Sequence, residues 1–284
     1  MIYETVPRAV RRIWGALSDG EGRPVGEMYW LSHDAEGSSG LVDAAGGRAT
    51  VAGLVESGRL PRAGEGVYPL LVKTLHPARK LSVQVHPGAF GGPRKDETWI
   101  VLEADDGAWM MGGLRDGVGR EEFEAAIRNG RAGDVMSRVG LHAGDVVHIP
   151  AGAVHSLGGG VEILEVQTNT DVTYRLYDWN RTGADGNPRP LHLEEGLDAV
   201  DYARQGRPVQ LPCPGELSGV PAPYRLRRVS GPAELEGGEL LFVTSGMVLL
   251  GGRRIAARGC LLADSGGGRV DLAGEGVAAA PAEP

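Results

Sequence analysis

Residues 81–87 read LSVQVHP. Strand alternation puts Gln84 and His86 on one face and Val83 and Val85 on the other. An amide and an imidazole on the same face of an apolar strand need partners, because buried polar groups without them are costly. Two later stretches offer such partners. RKDETWIVLEA (94–104) sets Glu97 directly before an apolar run, and HIPAGAVHSL (148–157) sets His155 just after a proline–glycine turn. Adjacent antiparallel strands would bring Gln84, His86, Glu97 and His155 together inside a barrel. Two imidazoles, a carboxylate and an amide oxygen suit a borderline-soft cation and leave room for water or substrate. The spacing is neither HExxH nor a CxxC pair, so a hydrogen-bonded interior network is the alternative reading.

Working outward, short strand signals dominate. PLLVKTL (69–75), KLSVQVHP (80–87), TWIVLEA (98–104), DVVHIP (145–150) and VEILEVQT (161–168) are rich in β-branched residues and bounded by turns. REEFEAAIRNG (120–130) is the main helix signal: Phe123 and Ile127 are four apart, acidic residues open it and Gly130 can cap it. VESGRL (55–60) and LEEGLDAVDYARQG (193–206) are weaker helical stretches. The proline-rich passage PVQLPCPGELSGVPAPY (208–224) reads as a joint before a smaller unit with strands at YRLRRVS, LLFVTSGMVLL and RVDLAG. GVAAAPAEP at the end reads as a frayed tail. LHAGDVVHIPAG (141–152) and AARGCLLADSGG (256–267) share a turn–strand–turn character that sets His155 against Val270. This echo fits two related β barrels of which only the first keeps a polar site.

Composition bounds the answer. The 284 residues are 42% apolar and 23% charged, with no apolar run of membrane-spanning length. A formal charge of −8 argues against general nucleic-acid affinity, though not against a local basic pocket. The 46 glycines and 18 prolines favour many short elements joined by tight turns. The N-terminus carries basic residues without the apolar core of a signal peptide, which implies a cytoplasmic protein. Cys213 and Cys260 have no zinc-knuckle or redox spacing and read as reduced thiols. Oligomeric state is not written in any stripe of the sequence.

The motifs LSVQVHP, RKDETW and IPAGAVHSLGGGVEILEVQTNTDVTYRLYDW, with the early WGA and GEMYWLS, resemble type I mannose-6-phosphate isomerase in its short bacterial form, a zinc enzyme of the cupin superfamily. The resemblance runs from about Trp14 to Arg181 and thins beyond it. It implies a mainly β fold of two cupin-like jelly-roll barrels with a small helical insert. The catalytic barrel would span 1–207, and a metal-free cupin-like domain would span 208–284. It implies one Zn2+ per chain on Gln84, His86, Glu97 and His155. Arg175, Lys95 and Lys73 match the family's catalytic and sugar-phosphate-binding positions, and Ser82 a pocket serine. The implied reaction is reversible isomerisation of mannose 6-phosphate and fructose 6-phosphate through a metal-stabilised cis-enediol. The early WGA, where the family has WGG, and the glycine-rich stretch at 35–50 depart from the pattern at the pocket rim.

Each residue keeps a plainer alternative. Lys73 reads also as a lysine snorkelling from a strand edge, Lys95 as turn-exposed, and Arg175 as a partner of Asp178 or Asp171. Trp14, Glu27 and Trp30 suit a wall beside the barrel mouth, and Asp178 and Trp179 a scaffold for Arg175. His148 reads as packing, and His33, His76, His142 and His192 lack an evident partner set. Competing functions are an isomerase or epimerase of another sugar phosphate, or a non-catalytic sugar-binding cupin.

Overall fold

Glu97–Ala104, the strand opened by the RKDE turn, lies at the middle of the molecule, and the computed structural model builds three layers of sheet around it. The structure describes residues 1–34, 37–64, 66–183, 186–204, 209–211 and 217–282. The central sheet takes the strands in the order 209–211, 146–149, 97–104, 161–168, 70–75, 24–31 and 8–11, with 17–18 beside 24–31. All of its pairings are antiparallel.

Alternation along these strands splits their side chains between two faces. Leu75, Trp99, Val101, Val147, Ile149 and Ile163 pack towards the front, while Leu70, Val72, Ile100, Val146, Leu164 and Val166 pack towards the back. The front sheet runs 136–140, 109–114, 155–157, 83–85, 174–177. Its outer side is covered by the helices Arg120–Arg128 and Leu193–Ala199, which bury Phe123, Ile127 and Leu197 against Val83, Val85 and Leu176. The expected helix at 120–130 is therefore present over 120–128. The one expected at 193–206 stops at Ala199, and that expected at 55–60 sits earlier, over Val51–Glu56, with Thr50 Oγ1 capping Gly53 N–H at 3.0 Å.

The back sheet runs 224–230, 268–281, 240–250, 260–263, 2–6, 40–43 and 48–50. Two features of it depart from the sequence reading. Strands from the first fifty residues join it: Ile2–Val6 pairs with Cys260–Ala263 on one side and Gly40–Asp43 on the other. A cut at 207/208 would therefore divide one continuous sheet. The expected frayed tail is instead interior strand. Gly276–Pro281 lies between Tyr224–Ser230 and Leu240–Val243, and Val277, Ala278 and Ala279 are buried. Small side chains read as a tail by composition, but here they let two packed layers approach.

The long strands Leu240–Leu250 and Gly268–Pro281 bend together around a second core containing Leu241, Val243, Val248, Ile255 and Leu272. Their register shifts between Val243 and Ser245. Gly246 sits at φ +75° there, and a Cβ on it would lie 1.9 Å from the Ala273 carbonyl oxygen, so only glycine fits the crossing. Cys260 is a buried free thiol; Cys213 lies outside the described residues. Among the described residues, no helix is long and apolar enough to cross a membrane.

Tyr224 ties the back sheet to the central one. Its buried hydroxyl donates to the Val166 carbonyl at 2.8 Å and lies 2.9 Å from Thr98 Oγ1, which is 3.1 Å from His148 Nδ1. A carbonyl can only accept, so the chain has one sense: His148 N–H to Thr98, Thr98 O–H to Tyr224, Tyr224 O–H to Val166. His148 thus faces the back and serves packing. Truncation before Gly276 removes the strand between two others and is expected to abolish cooperative unfolding; circular dichroism through a denaturant titration would show this.

Candidate active site

Two rows of side chains face each other across the front cavity. On the front sheet, His155, Gln84 and Arg175 stand side by side, because Gln84 is paired with His155 on one neighbour and with Arg175 on the other. On the central sheet, Tyr29, Lys73, Glu165 and Trp99 occupy four adjacent strands in register. Between them lies a cavity of about 300 Å³. Ser82, Gln84, Lys73, Lys95, Glu97 and Arg175 all line it, and His86 and His155 lie buried behind Gln84 and Glu97.

The donor set of the histidines is unusual. His155 Nδ1 lies 3.0 Å from the Ala153 carbonyl and His86 Nδ1 lies 3.3 Å from that of Val172. Each carbonyl must accept, so the protons sit on Nδ1 and the Nε2 lone pairs turn inward. They meet Glu97: His86 Nε2 is 3.0 Å from Oε2 and His155 Nε2 is 3.2 Å from Oε1. Burial pushes His86 down to about 3, against the pull of Glu97, so its imidazole is neutral at pH 7. Burial also works against the Glu97 charge, but Lys95, whose Nζ is 3.2 Å away, draws its carboxyl the other way, below the usual range.

Acceptors therefore face acceptors. His86 Nε2 and Glu97 Oε1 are buried without a hydrogen bond among the described residues. A divalent cation fits this arrangement: the ligating atoms of His86, Glu97 and His155 lie within 4.8 Å of one another. The Gln84 amide nitrogen is 3.0 Å from His155 Nε2, and its oxygen accepts from Ser82 at 3.3 Å. A half-turn of the amide exchanges the two atoms and offers the oxygen to the cluster. The IPAG turn sets His155 in place. Gly152, at φ +85°, donates its N–H to the His86 carbonyl at 3.0 Å, and a Cβ on it would press on Ala89 at 2.9 Å.

The central row carries its own charges. Lys73 Nζ lies 3.1 Å from both Glu27 Oε1 and Glu165 Oε1. Arg12 grips the other Glu27 oxygen at 2.6 Å, and the Trp99 indole N–H donates to Glu165 Oε2 at 2.8 Å. Burial raises the Glu165 carboxyl, as does Glu97, against the pull of Lys73. Burial opposes the Lys73 charge, but Glu165 and Glu27 raise its ammonium well above the ordinary 10.5. Neither a snorkelling Lys73 nor a turn-exposed Lys95 is seen; both are buried.

At the mouth, Arg175 donates from Nη1 to the Pro190 carbonyl at 2.9 Å, and its backbone N–H donates to His192 Nδ1 at 3.1 Å. Burial and the neighbouring cation Arg189 lower its pKa. Asp178 does not scaffold it. That carboxylate holds Arg189 and Arg181, and Trp179 donates its indole N–H to the Leu81 carbonyl. Trp14 and Glu27 line the cavity, but Trp30 faces backward, donating to Thr74 Oγ1 and packing edge-on against Phe242.

Sequence reasoning passed over Glu165, Arg12, Thr173 and Arg189 as lining residues. For Glu165 a signal existed: in VEILEVQT it shares a face with Gln167, on a strand otherwise buried.

No family model matches the chain. Over 144 residues it is 38% identical to a mannose-6-phosphate isomerase of Streptococcus mutans, covering 49% of this chain and 45% of that protein. Over 141 residues it is 36% identical to a mannose-6-phosphate isomerase of Bacillus subtilis, covering 47% and 44%. These matches thus span less than half the length of each relative. The crystal structure of the mannose 6-phosphate isomerase from Bacillus subtilis superposes with a TM-score of 0.82 over 98% of this chain and 99% of that one, at 20% identity.

Glu97→Gln would replace the anionic centre of the cluster by a neutral amide. Divalent-metal content of the purified variant, by elemental analysis, is expected to fall at least about tenfold, since one missing ligand charge weakens such sites strongly. The chain is a relative of the mannose-6-phosphate isomerases over about half its length and shares their mainly β fold over nearly all of it.

Proposed function

We propose that the protein interconverts mannose 6-phosphate and fructose 6-phosphate, using a zinc ion held by Gln84, His86, Glu97 and His155. The observation that carries this reading is the coexistence, in one 300 Å³ cavity, of an acceptor cluster suited to a cation and of Lys73, Lys95 and Arg175, within a chain of net charge −8. An acidic protein that gathers cations in one recess is built for a small anion. The likeness to isomerases of this substrate pair supports the choice of sugar.

The reaction removes a proton from the carbon beside a carbonyl and returns it one carbon away, through a cis-enediol. The bound ion supplies Lewis acidity for the negative charge that develops on oxygen. Arg175, at the mouth, would hold the phosphate and fix the sugar's orientation, and Ser82 would contact the bound sugar from the front sheet. Lys95, already on Glu97, would stabilise charge on the sugar oxygens from the cluster side. Lys73 and Glu165 face the cavity 3.1 Å apart and form a pair able to hold and move a proton. Trp14, Leu75, Leu81 and Trp99 supply an apolar wall that limits water around the enediol. A cytoplasmic location, where hexose phosphates are found, accords with this reading.

A coupled assay on mannose 6-phosphate, before and after chelation and with zinc restored, tests the proposal. Turnover is expected to vanish with the metal and return with it. A zinc-loaded protein that leaves mannose 6-phosphate unchanged would exclude that substrate and turn the search to other sugar phosphates. Arg175→Ala is expected to lower kcat/KM by about 10²–10³, the loss of one charge-assisted phosphate contact and its orientation.

A further inference from the structure

Lys73, Lys80 and Lys95 are the only lysines among the 29 lysines and arginines of the sequence. Two of the three are buried in the cavity, whereas Lys80 lies 3.6 Å over the Trp179 ring outside it. Arginine is the general-purpose cation of this chain; lysine stands where the cation must be compact and able to lose a proton. Lys73 therefore invites the question of which form it takes.

Its surroundings answer it. Glu27 and Glu165 approach its ammonium from the two neighbouring strands, each at 3.1 Å. Tyr29 faces it from the same strand as Glu27, with its ring 5.6 Å away, and Asp171 adds a further negative charge from the loop beyond Thr168. Both carboxylates are anchored from behind, Glu27 by Arg12 and Glu165 by Trp99. Glu165 faces the substrate cavity next to the apolar wall. Glu27, also buried at the cavity wall, stands on the other side of Lys73 from Glu165, and its two oxygens are already divided between Lys73 and Arg12.

We propose that Glu27, braced by Arg12, is a positioning residue that fixes Lys73 as an ammonium ion against Glu165, so that Lys73 acts in the isomerisation as a proton donor and not as a base. The proposal rests on the isomerase reading for its chemistry. The brace itself is a property of the folded chain. In a balanced form of the step, Glu165 accepts the proton from C2 as Lys73 donates one to the oxygen on C1, giving the enediol. Glu165 then returns its proton to C1 while Lys73 recovers one from the oxygen on C2 as the new carbonyl forms. With Glu27 removed, one carboxylate is left to hold the ammonium. Its proton becomes easier to lose, and the donor is partly spent before substrate arrives.

Because the chain has three lysines, the test reads them directly. In zinc-loaded protein carrying 13Cε-lysine, three signals are followed from pH 7 to 12, with Lys80→Arg assigning one of them. In the unmodified protein the Lys73 signal should not titrate below 10.5. In Glu27→Gln its midpoint should fall by about 1–3 units, the usual effect of one opposite charge at contact distance, while Lys80 stays put. In the same variant kcat on mannose 6-phosphate should fall about tenfold or more on the alkaline side of the profile, whose limb moves to lower pH, with KM within about threefold. Arg12→Gln should shift both readouts the same way by less, and the double variant should be no worse than Glu27→Gln.

An unmoved Lys73 midpoint in Glu27→Gln overturns the brace. A raised KM with unchanged kcat overturns it too, because it would mean that Glu27 touches substrate. Should Glu27→Gln fail to fold, Arg12→Gln, at a partly exposed site, carries the same two readouts. If the unmodified protein does not turn over mannose 6-phosphate but Lys73 still shifts, the isomerase reading and the donor role fall while the brace stands.

Discussion

Two imidazole nitrogens and a carboxylate meet between the front and central sheets with their lone pairs turned toward each other, and much of the structure serves to keep them so. Left alone, such atoms would swing apart or take up protons. The backbone prevents both. The Ala153 and Val172 carbonyls hold the Nδ1 protons, so neither ring can turn over without losing a hydrogen bond. The Gly152 turn fixes the chain entering His155 by bonding to the carbonyl of His86, so the two histidines are located relative to each other through main chain alone. A set of acceptors fixed in this way is suited to a cation without further rearrangement.

Facing it is a second polar set with the opposite logic. Along the central sheet, Arg12, Glu27, Lys73 and Glu165 alternate in sign, so buried charges compensate one another without any ion. Trp99 belongs to both sets. Its indole N–H holds Glu165, and its ring meets that of His155 edge-on with centroids 5.4 Å apart. A single bulky side chain thus stands between the histidine–carboxylate cluster and the Lys73–Glu165 pair. It also keeps Glu97 and Glu165, two carboxylates that raise each other's cost of ionising, from closing on one another.

How much of this could be read from the sequence depended on range. Gln84 and His86 announce themselves because an alternating strand makes their shared face a local fact, and Glu97 and His155 because turns place them at strand starts. The helix at 120–128 was legible from Phe123 and Ile127 for the same reason. Glu165 shared a face with Gln167 in the same way, but its role became legible only once its strand was known to lie beside Lys73, since a carboxylate in a strand reads equally well as solvent-facing. Arg12 and Glu27 are meaningful only as partners across three strands. The closing stretch GVAAAPAEP misleads by composition: alanines are silent about burial, and only the neighbours at 224–230 and 240–250 make 276–281 an inner strand. Asp178 failed as a support for Arg175 because Arg181 and Arg189, close in sequence, reach it first.

The seating of Ile2–Val6 has a bearing on how the molecule comes to exist. That strand pairs with Cys260–Ala263, roughly the whole chain length away. One of its two edges is thus paired across nearly every other element of the fold. Antiparallel pairing with Gly40–Asp43 covers its other edge. Contacts of such long sequence separation form late and slowly. Closing the back sheet rests on such a contact, and the same sheet carries Tyr224, whose hydroxyl backs the strands that carry Glu97 and Glu165. Closure of the back sheet and backing of the cavity's central strands are, for this topology, one requirement.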